Sequence, residues 1–375
     1  MSRACLIDPL AGVRTAADPA CDVYLTGTVF LDIIFTGLDS APVRGTETWA
    51  RGMGSSPGGV ANMATALARL GLRTCLAAAF GDDKYGEYCW ETLERGEGID
   101  LSLSRTVPGW HSPVTVSMAY DGERTMISHG HDAPTSGRPP GIAGTPGPPP
   151  ARSCVASLRP GQPQEWIAKA AHAGSVIFAS TGWDETGAWE LAELPDLAHC
   201  EGFLLNAVEA VRYTRADSPQ AAARALAETV PLSVVTMGAE GACAVDGRTG
   251  EAAEVPAIVV EPLDTTGAGD VFMAGFLTGT LAGWPLADRL ALAGLTAALS
   301  VQEFGGSLAA PGWGDIAAWW QRIRASGRAG ARPALVSESA LAATLERYAF
   351  LDEPLAGVTR PWPQRRAVPT LGFRG

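Results

Sequence analysis

Asp264-Thr265-Thr266-Gly267-Ala268-Gly269-Asp270 (DTTGAGD, residues 264–270) is the stretch of this sequence that says most about its fold. A β-strand pattern over residues 254–263 precedes it, and an apolar helix is predicted to begin at Val271. Small residues let the backbone approach a ligand closely, and the free amides of a helix N-terminus attract anions. A carboxylate in the first helical turn would then stand beside a bound phosphate. The pattern is typical of a phosphotransferase site.

A simpler interpretation makes Asp270 an ordinary acidic residue in a first helical turn. The strand pattern before the stretch, with Gly275 and Gly279 allowing close packing of the helix, favours a ligand site instead. The amides of residues 267–269 would stabilise charge on the transferred phosphoryl group. Asp270 would act as general base for the attacking hydroxyl, a role whose loss costs on the order of 10²–10⁴ in rate.

Composition restricts the class of protein. The chain has 375 residues, of which 46% are hydrophobic and 18% charged, as expected for one large or two smaller globular domains. A net charge of −12 argues against a nucleic-acid partner, because neutralising phosphates takes clustered basic residues. The only lysines are Lys84 and Lys169, and neither ends a G-x-x-x-x-G-K-[ST] run, so a P-loop nucleotide site is excluded. The lysine and H-R-D loop of protein kinases are missing too.

The sequence predicts a cytoplasmic protein without a membrane partner. Residues 1–19 lack the pattern of a secretory signal, and the apolar regions near residues 271 and 290 are too short to cross a bilayer. The seven cysteines are scattered and form no C-x-x-C pair, which fits a reduced compartment and no structural zinc site.

Alternating strand and helix patterns predict the fold class, a mostly parallel sheet with helices on both faces. Strands are predicted at 22–34, 73–80, 176–179, 202–205 and 233–237, and helices at 60–70, 85–95, 218–228, 286–304 and 315–325. A short polar strand at 46–53 and a hairpin at 114–128 break this rhythm, and they predict a small β-lid from about 42–55 and 112–128. The kinase-like core would span residues 20–325.

Two segments are predicted to lie outside that core. Residues 133–163 are rich in proline and glycine, which predicts a disordered insertion. Residues 326–375 are predicted to form a tail with one short helix at 339–348.

Gly58, Gly59 and Asn62 form a second candidate site at the start of the helix predicted at residue 60. A simple helix start explains them, but paired glycines and an amide one turn later would also admit a polyol. Asp32, at the end of the first predicted strand, is either a solvated strand end or an acceptor of hydrogen bonds from sugar hydroxyls.

Asn206 and Glu209 follow another predicted strand and share one helical face, from which both could address a hydrated Mg²⁺. A helix cap with a surface glutamate is the alternative. Residues 236–241 close a further strand, where a plain hairpin turn is the alternative. His129 and His131 lie beside Asp132, but no third ligand has suitable spacing, which argues against a metal site.

In this order, these motifs resemble those of the PfkB (ribokinase-like) family of carbohydrate kinases, from about residue 22 to residue 320. The residues that carry the resemblance are Gly27-x4-Asp32, Gly58-Gly59 with Asn62, GDDKYGEYCWETLERGEGID at 81–100, Asn206-x-x-Glu209, Thr236 to Gly241, and DTTGAGD.

The resemblance implies a Rossmann-like α/β domain with a β-lid, in which ATP and Mg²⁺ phosphorylate a hydroxymethyl group of a sugar or nucleoside. It assigns Asp270 as base and residues 267–269 as the anion hole. The sugar side comprises Asp32, Gly58, Gly59 and Asn62. The nucleotide side comprises Asn206, Thr236, Gly238 and Gly241, with Glu209 reaching Mg²⁺ through water. Lid strands often mediate dimerisation in this family, so a homodimer is expected.

The sequence also departs from the family. Ribokinases carry Asn two residues before the sugar-binding Asp, where this chain has Phe30, so fructose, a related ketose or a sugar acid is favoured over ribose. Asp264 is retained as a candidate ligand of a monovalent cation such as K⁺, but Ala309 stands where cation-activated members often have Ser. A nucleoside kinase and a sugar-sensing pseudokinase without turnover are the alternatives. Retention of Asp270 and the glycines argues against the pseudokinase.

Overall fold

The computed structural model describes residues 7–120, 123–133, 148–329 and 338–358. Its strands, numbered in chain order, are β1 Cys21–Thr26, β2 Val29–Thr36, β3 Gly52–Gly59, β4 Thr74–Ala77, β5 Ala79–Gly81, β6 Arg105–Val107, β7 Val114–Tyr120, β8 Glu123–His129, β9 Ala151–Leu158, β10 Val176–Thr181, β11 Gly202–Asn206, β12 Leu232–Thr236, β13 Ala242–Asp246 and β14 Ala252–Val255. Its helices are α1 Val60–Arg69, α2 Lys84–Glu91, α3 Glu165–His172, α4 Ala207–Thr214, α5 Pro219–Leu226, α6 Ala268–Leu281, α7 Leu286–Ser300, α8 Trp313–Ala329 and α9 Glu338–Arg347.

The main sheet has eight strands in the order β14-β13-β12-β11-β10-β9-β1-β4. From β4 to β12 every neighbouring pair is parallel, and β13 and β14 add an antiparallel edge. The carboxyl ends of the parallel strands therefore meet at one edge, which is where open α/β sheets bind ligands.

Helices cover both faces of this sheet. Along β1, Val23 and Leu25 belong to a core with α1, α6 and α7, whereas Tyr24 belongs to a second core with α3, α4 and α5. This alternation follows from the two-residue period of a strand. The predicted class, a mostly parallel sheet with helices on both faces, is confirmed.

A four-stranded second sheet, in the order β3-β2-β7-β8, forms the lid. The hairpin predicted at 114–128 is confirmed as β7 and β8. The single strand predicted at 22–34 is wrong, because the chain leaves the main sheet at Thr26 and enters the lid at Val29. The polar strand predicted at 46–53 is also misplaced, since β3 spans 52–59. Only Thr26-Gly27-Thr28 interrupt the apolar run, and so short a break does not show that the two strands belong to different sheets.

The disordered insertion predicted at 133–163 is wrong for part of its length. Residues 151–158 form β9, which pairs with β1 and β10 in the middle of the main sheet. Val155 is the only β-branched residue in this strand, and prolines flank it, so the segment carries little strand signal. The proline-rich residues 134–147 lie outside the described part of the chain.

The strand predicted immediately before DTTGAGD is wrong as well. β14 ends at Val255 and Pro256 follows, so the chain reaches the motif through an irregular segment in which Val259 is 98% exposed. Proline lacks the amide that would continue the ladder. The helix begins at Ala268 rather than at Val271.

The end of the described chain packs on the core. The predicted short helix is confirmed as α9, while α8 continues to Ala329. Tyr348 is buried, its ring lies 4.9 Å from that of Trp319, and Phe350 lies 5.3 Å from Trp284. Residues 338–358 are thus part of the folded body rather than of a loose tail.

We expect this aromatic cluster to contribute strongly to stability. Tyr348→Ala should lower the free energy of unfolding by about 3–5 kcal/mol, because it empties a buried ring site. The hydroxyl of Tyr348 is buried and has no hydrogen-bond partner in the described ranges, so Tyr348→Phe should be neutral or slightly stabilising. Urea unfolding of both variants tests this, and equal losses would contradict it.

Candidate active site

The candidate active site begins at the N-terminus of α6. Gly267 caps the helix with φ of 73°, a left-handed conformation that glycine adopts readily. Asp270 lies in the first turn and is half-buried. The amide of Ala268 donates to the carbonyl of Thr265 at 3.2 Å. Within the described chain the amides of Gly267 and Gly269 donate no hydrogen bond, so these two remain available to an anion.

The second predicted site forms the junction between lid and core. Gly59 ends β3 with φ of 63°, and a Cβ there would overlap the carbonyl of Thr28. That carbonyl accepts the amide of Val60 at 3.2 Å, which fixes the first turn of α1. The helix predicted from residue 60 is confirmed, and its first turn carries Asn62.

The structure brings the two sites together, because Asn62 Nδ2 donates to Asp270 Oδ2 at 3.2 Å. Asn62 is only 4% exposed, and its buried carbonyl oxygen has no hydrogen-bond partner among the described residues. A buried acceptor of this kind costs about 1–3 kcal/mol. A Cβ at Gly267 would lie 2.9 Å from Asn62 Cγ, and one at Gly306 would lie 2.8 Å from Asn62 Oδ1. Both glycines therefore make room for the amide.

Asp264 links the segments that carry these two glycines. Its Oδ1 accepts the amide of Thr266 at 2.9 Å, and its Oδ2 accepts the amide of Gly305 at 3.2 Å. A monovalent cation, for which Asp264 was the candidate ligand, would have to share oxygens that already hold the backbone. Ala309 offers no side-chain oxygen in this region.

Asp32 lies in the middle of β2, not at the end of the first strand as predicted. It pairs with Ser56 of β3 and Thr115 of β7, and it is 5% exposed. A Cβ at Gly58 would overlap the Asp32 carboxylate, so glycine is needed there for the carboxylate to hold its position.

The nucleotide-side residues lie at the carboxyl ends of β11 and β12, where Asn206 and Thr236 are paired. Asn206 Oδ1 accepts the amide of Glu209 at 3.0 Å, and Glu209 Oε2 accepts that of Asn206 at 3.1 Å. The helix cap at Asn206 is the alternative that the sequence left open, but Glu209 completes it as a capping box and is not a surface glutamate. Burial raises the pKa of Glu209, although its bonds to Asn206 act in the opposite sense.

Gly238 and Gly241 shape the turn after β12. Both have positive φ, of 57° and 110°, and Met237 donates to the carbonyl of Gly241 at 2.8 Å. A Cβ at Gly241 would overlap the carbonyl of Val255, whereas one at Gly238 would meet no atom within 4 Å. Gly241 is thus required by the fold, and Gly238 leaves open space at the sheet edge.

The residues predicted to hold Mg²⁺ could bind it only through water molecules. In the described ranges no group of three or more His, Cys, Asp or Glu side chains could hold a metal by itself. Glu209 Oε1 accepts no hydrogen bond from those residues, so it could accept one from a metal-bound water if Mg²⁺ binds here. Nor does any described helix have the length and apolar character of a membrane span.

Sequence reasoning missed the contribution of the segment after α7. Ser307 donates its hydroxyl to the carbonyl of Pro57 at 2.5 Å, and Gly306 lies against Asn62. The paired glycines Gly305-Gly306 were the available signal, since adjacent glycines with positive φ often mark a close backbone approach.

The chain is similar to known sugar kinases. The model of the pfkB family of carbohydrate kinases matches residues 27–136 and 155–312. A fructokinase from Klebsiella pneumoniae is 31% identical over 284 residues, which cover 69% of this chain and 90% of that protein.

Two solved structures share the fold. An Arabidopsis thaliana ribokinase complexed with ribose and ATP superposes with a TM-score of 0.62 at 22% identity, covering 79% of this chain and 96% of that one. An E. coli protein described as a putative ribokinase II in complex with ATP and Mg²⁺ gives 0.66 at 19% identity, covering 80% and 99%.

Gly58→Ala should weaken acceptor binding, because the added methyl group overlaps the Asp32 carboxylate and must displace it. We expect KM for the acceptor to rise by about tenfold or more. Gly294→Ala on α7 is the matched control, since a methyl group there meets no atom within 4 Å. Steady-state kinetics and thermal melting compare the two variants, and an unchanged KM in Gly58→Ala would contradict the assignment.

Proposed function

Because the chain belongs to the pfkB family of carbohydrate kinases, which are phosphotransferases, we propose that it phosphorylates a hydroxymethyl group of a small sugar with ATP. The observation that carries the proposal is the contact between Asn62 and Asp270, which joins the Gly-Gly signature to the DTTGAGD signature. A carboxylate, an amide and free helix-terminal amides converge there, as phosphoryl transfer to an alcohol requires.

Asp270 is proposed as the general base. Its carboxylate takes the proton of the acceptor hydroxyl, whose oxygen forms a bond to the γ-phosphorus as the bond to the ADP oxygen breaks. The amides of Gly267 and Gly269, with the N-terminus of α6 behind them, would stabilise charge on the transferred group. Ala268 contributes through the helix terminus, since its own amide bonds to Thr265.

The nucleotide is proposed to lie along the ends of β11 and β12, against Asn206, Thr236, Gly238 and Gly241. The fold is shared with a protein whose structure contains ATP and Mg²⁺, which supports ATP as donor. Mg²⁺ would supply charge neutralisation on the phosphates, and Glu209 would hold it through water. K⁺ is proposed only as an additional ion near Asp264. The main role of Asp264 is to hold together the segments that carry Gly267 and Gly306.

Fructose, a related ketose or a sugar acid is the proposed acceptor ahead of ribose, with Asp32, Gly58, Gly59 and Asn62 on the acceptor side. Phe30 in place of an amide and the similarity to a fructokinase both support this order. Asp32 is buried in the lid, where it would accept hydrogen bonds from sugar hydroxyls.

A homodimer through the lid is also proposed. Met53 on β3 and Met126 and Ile127 on β8 are exposed apolar side chains of the two edge strands of the lid sheet. Sedimentation equilibrium tests this, and the mass of a single chain at micromolar concentration would refute it.

An acceptor panel tests the proposed reaction. We expect ADP release to be stimulated by at least one of fructose, related ketoses, sugar acids and ribose. Asp270→Asn should lower kcat on the order of 10²–10⁴-fold without unfolding the protein, because it removes the base and keeps the shape of the side chain. Nucleosides in the same panel test the related kinase class. If no acceptor stimulates turnover while sugars still raise Tm, the chain is a sugar sensor and the kinase proposal fails.

Gly269→Ala separates a ligand requirement from a folding requirement. A Cβ at Gly269 meets no atom of the described part of the chain within 4 Å, so alanine should leave Tm unchanged or raise it. If the transferred phosphate lies against this amide, the methyl group should lower kcat about tenfold or more. Gly294→Ala again serves as the control in a helix. Wild-type kcat in Gly269→Ala would place the phosphate elsewhere.

A further inference from the structure

We propose that Asn62 is a positioning residue that orients the carboxylate of Asp270, in addition to any contact with the acceptor. The inference rests on the proposed function for its kinetic consequences, but the contact itself is a feature of the fold. It joins residues 208 positions apart in the sequence, on the first turns of α1 and α6.

The orientation of the amide is set by the carboxylate. Nδ2 lies 3.2 Å from Asp270 Oδ2, and exchanging the amide nitrogen and oxygen would place two acceptors against each other. The hydrogen bond therefore fixes which way the amide faces, and in return it restrains rotation of the Asp270 side chain.

Asn62 has little freedom to move. Gly267 and Gly306 lie close to its side chain, and Asp264 holds their two segments together through the amides of Thr266 and Gly305. The Ser307 hydroxyl binds the carbonyl of Pro57, just before the glycines that lead into α1.

The far end of α1 is fixed by the same segment. Arg69 Nη1 donates to the carbonyl of Leu308 at 2.9 Å, and Arg69 also pairs with Glu97. The helix that presents Asn62 is thus anchored near both ends, so the position of its amide is defined by the fold.

The unpartnered oxygen of Asn62 is an independent observation. An amide at this buried position leaves one acceptor without a hydrogen bond, and a leucine of similar shape would avoid that loss. Buried unsatisfied groups are rare and need an explanation. The donor side of the amide explains why asparagine stands here, because Nδ2 faces the proposed base Asp270.

The experiment compares Asn62→Leu and Asn62→Asp with Thr65→Val, a control one turn along α1 whose buried hydroxyl also has no partner. In Asn62→Leu we expect kcat to fall by roughly 10- to 100-fold, because the base is no longer held in its productive orientation. The acceptor KM should rise as well if Asn62 also contacts the acceptor, so kcat is the deciding parameter, and Tm should be no lower than in Thr65→Val.

Asn62→Asp places a second carboxylate against Asp270. The acid limb of the kcat profile should then move to higher pH by about one unit or more, because adjacent like charges oppose ionisation. Carbon-13 NMR of the Asp270 carboxyl group in the ligand-free protein should show ionisation at correspondingly higher pH. Thr65→Val should leave both curves in place.

The outcomes are distinct. Asn62 would be a substrate contact only if Asn62→Leu raises the acceptor KM without changing kcat, and if Asn62→Asp leaves the NMR titration of Asp270 unchanged. The role of Asn62 would be structural if Tm and kcat fall together in Asn62→Leu while the titration of Asp270 is unchanged in Asn62→Asp. If the wild-type protein phosphorylates no acceptor, the proposed function fails, and the NMR titration alone still decides whether Asn62 acts on Asp270.

Discussion

The carboxylate of Asp264 is the constraint on which the geometry of the site depends. It accepts the amide of Thr266, in the segment that leads into α6, and the amide of Gly305, which follows α7 and lies 41 positions from Asp264 in the sequence. Each segment presents a glycine to the same side chain, Asn62. Charge-assisted hydrogen bonds from backbone amides are stronger than neutral ones, so a single buried carboxylate fixes two irregular loops that have no ladder of their own.

The sequence predicts the class of fold well and its boundaries less well. Alternating periodicity identified the parallel sheet and both helical layers, because burial on two faces forces those patterns. It failed at β1 and β2, where one apolar run serves two sheets, and at β9, where small residues occupy the centre of the sheet. In both places tertiary position, rather than local propensity, decides the structure.

The candidate site could likewise be predicted from the sequence only in part. The signature residues Asp270 and Asn62 could be found from the sequence, and their motif order indicated a kinase. Their hydrogen bond could not be found, because it joins helices whose packing depends on the whole core. The helix cap at Asn206 is the alternative that the sequence offers, since a cap depends only on neighbours along the chain, but the return bond to Glu209 replaces the surface glutamate of that alternative.

The glycines of the site differ in the reason why glycine is present. Gly241 and Gly58 are surrounded by protein atoms and are needed for the fold or for Asp32, whereas Gly269 and Gly238 face open space. Only at the second kind does the described structure leave space beside the backbone, so equivalent letters in a motif carry different information.

The junction between lid and core has a mechanical consequence. Gly27 and Thr28 lead into β2, Gly59 ends β3, and the carbonyl of Thr28 binds the amide that begins α1. Both connections of this half of the lid therefore meet the core beside the turn that carries Asn62. Because α1 is anchored near both ends, that turn gives the lid a fixed point of attachment next to the residues proposed to bind the acceptor.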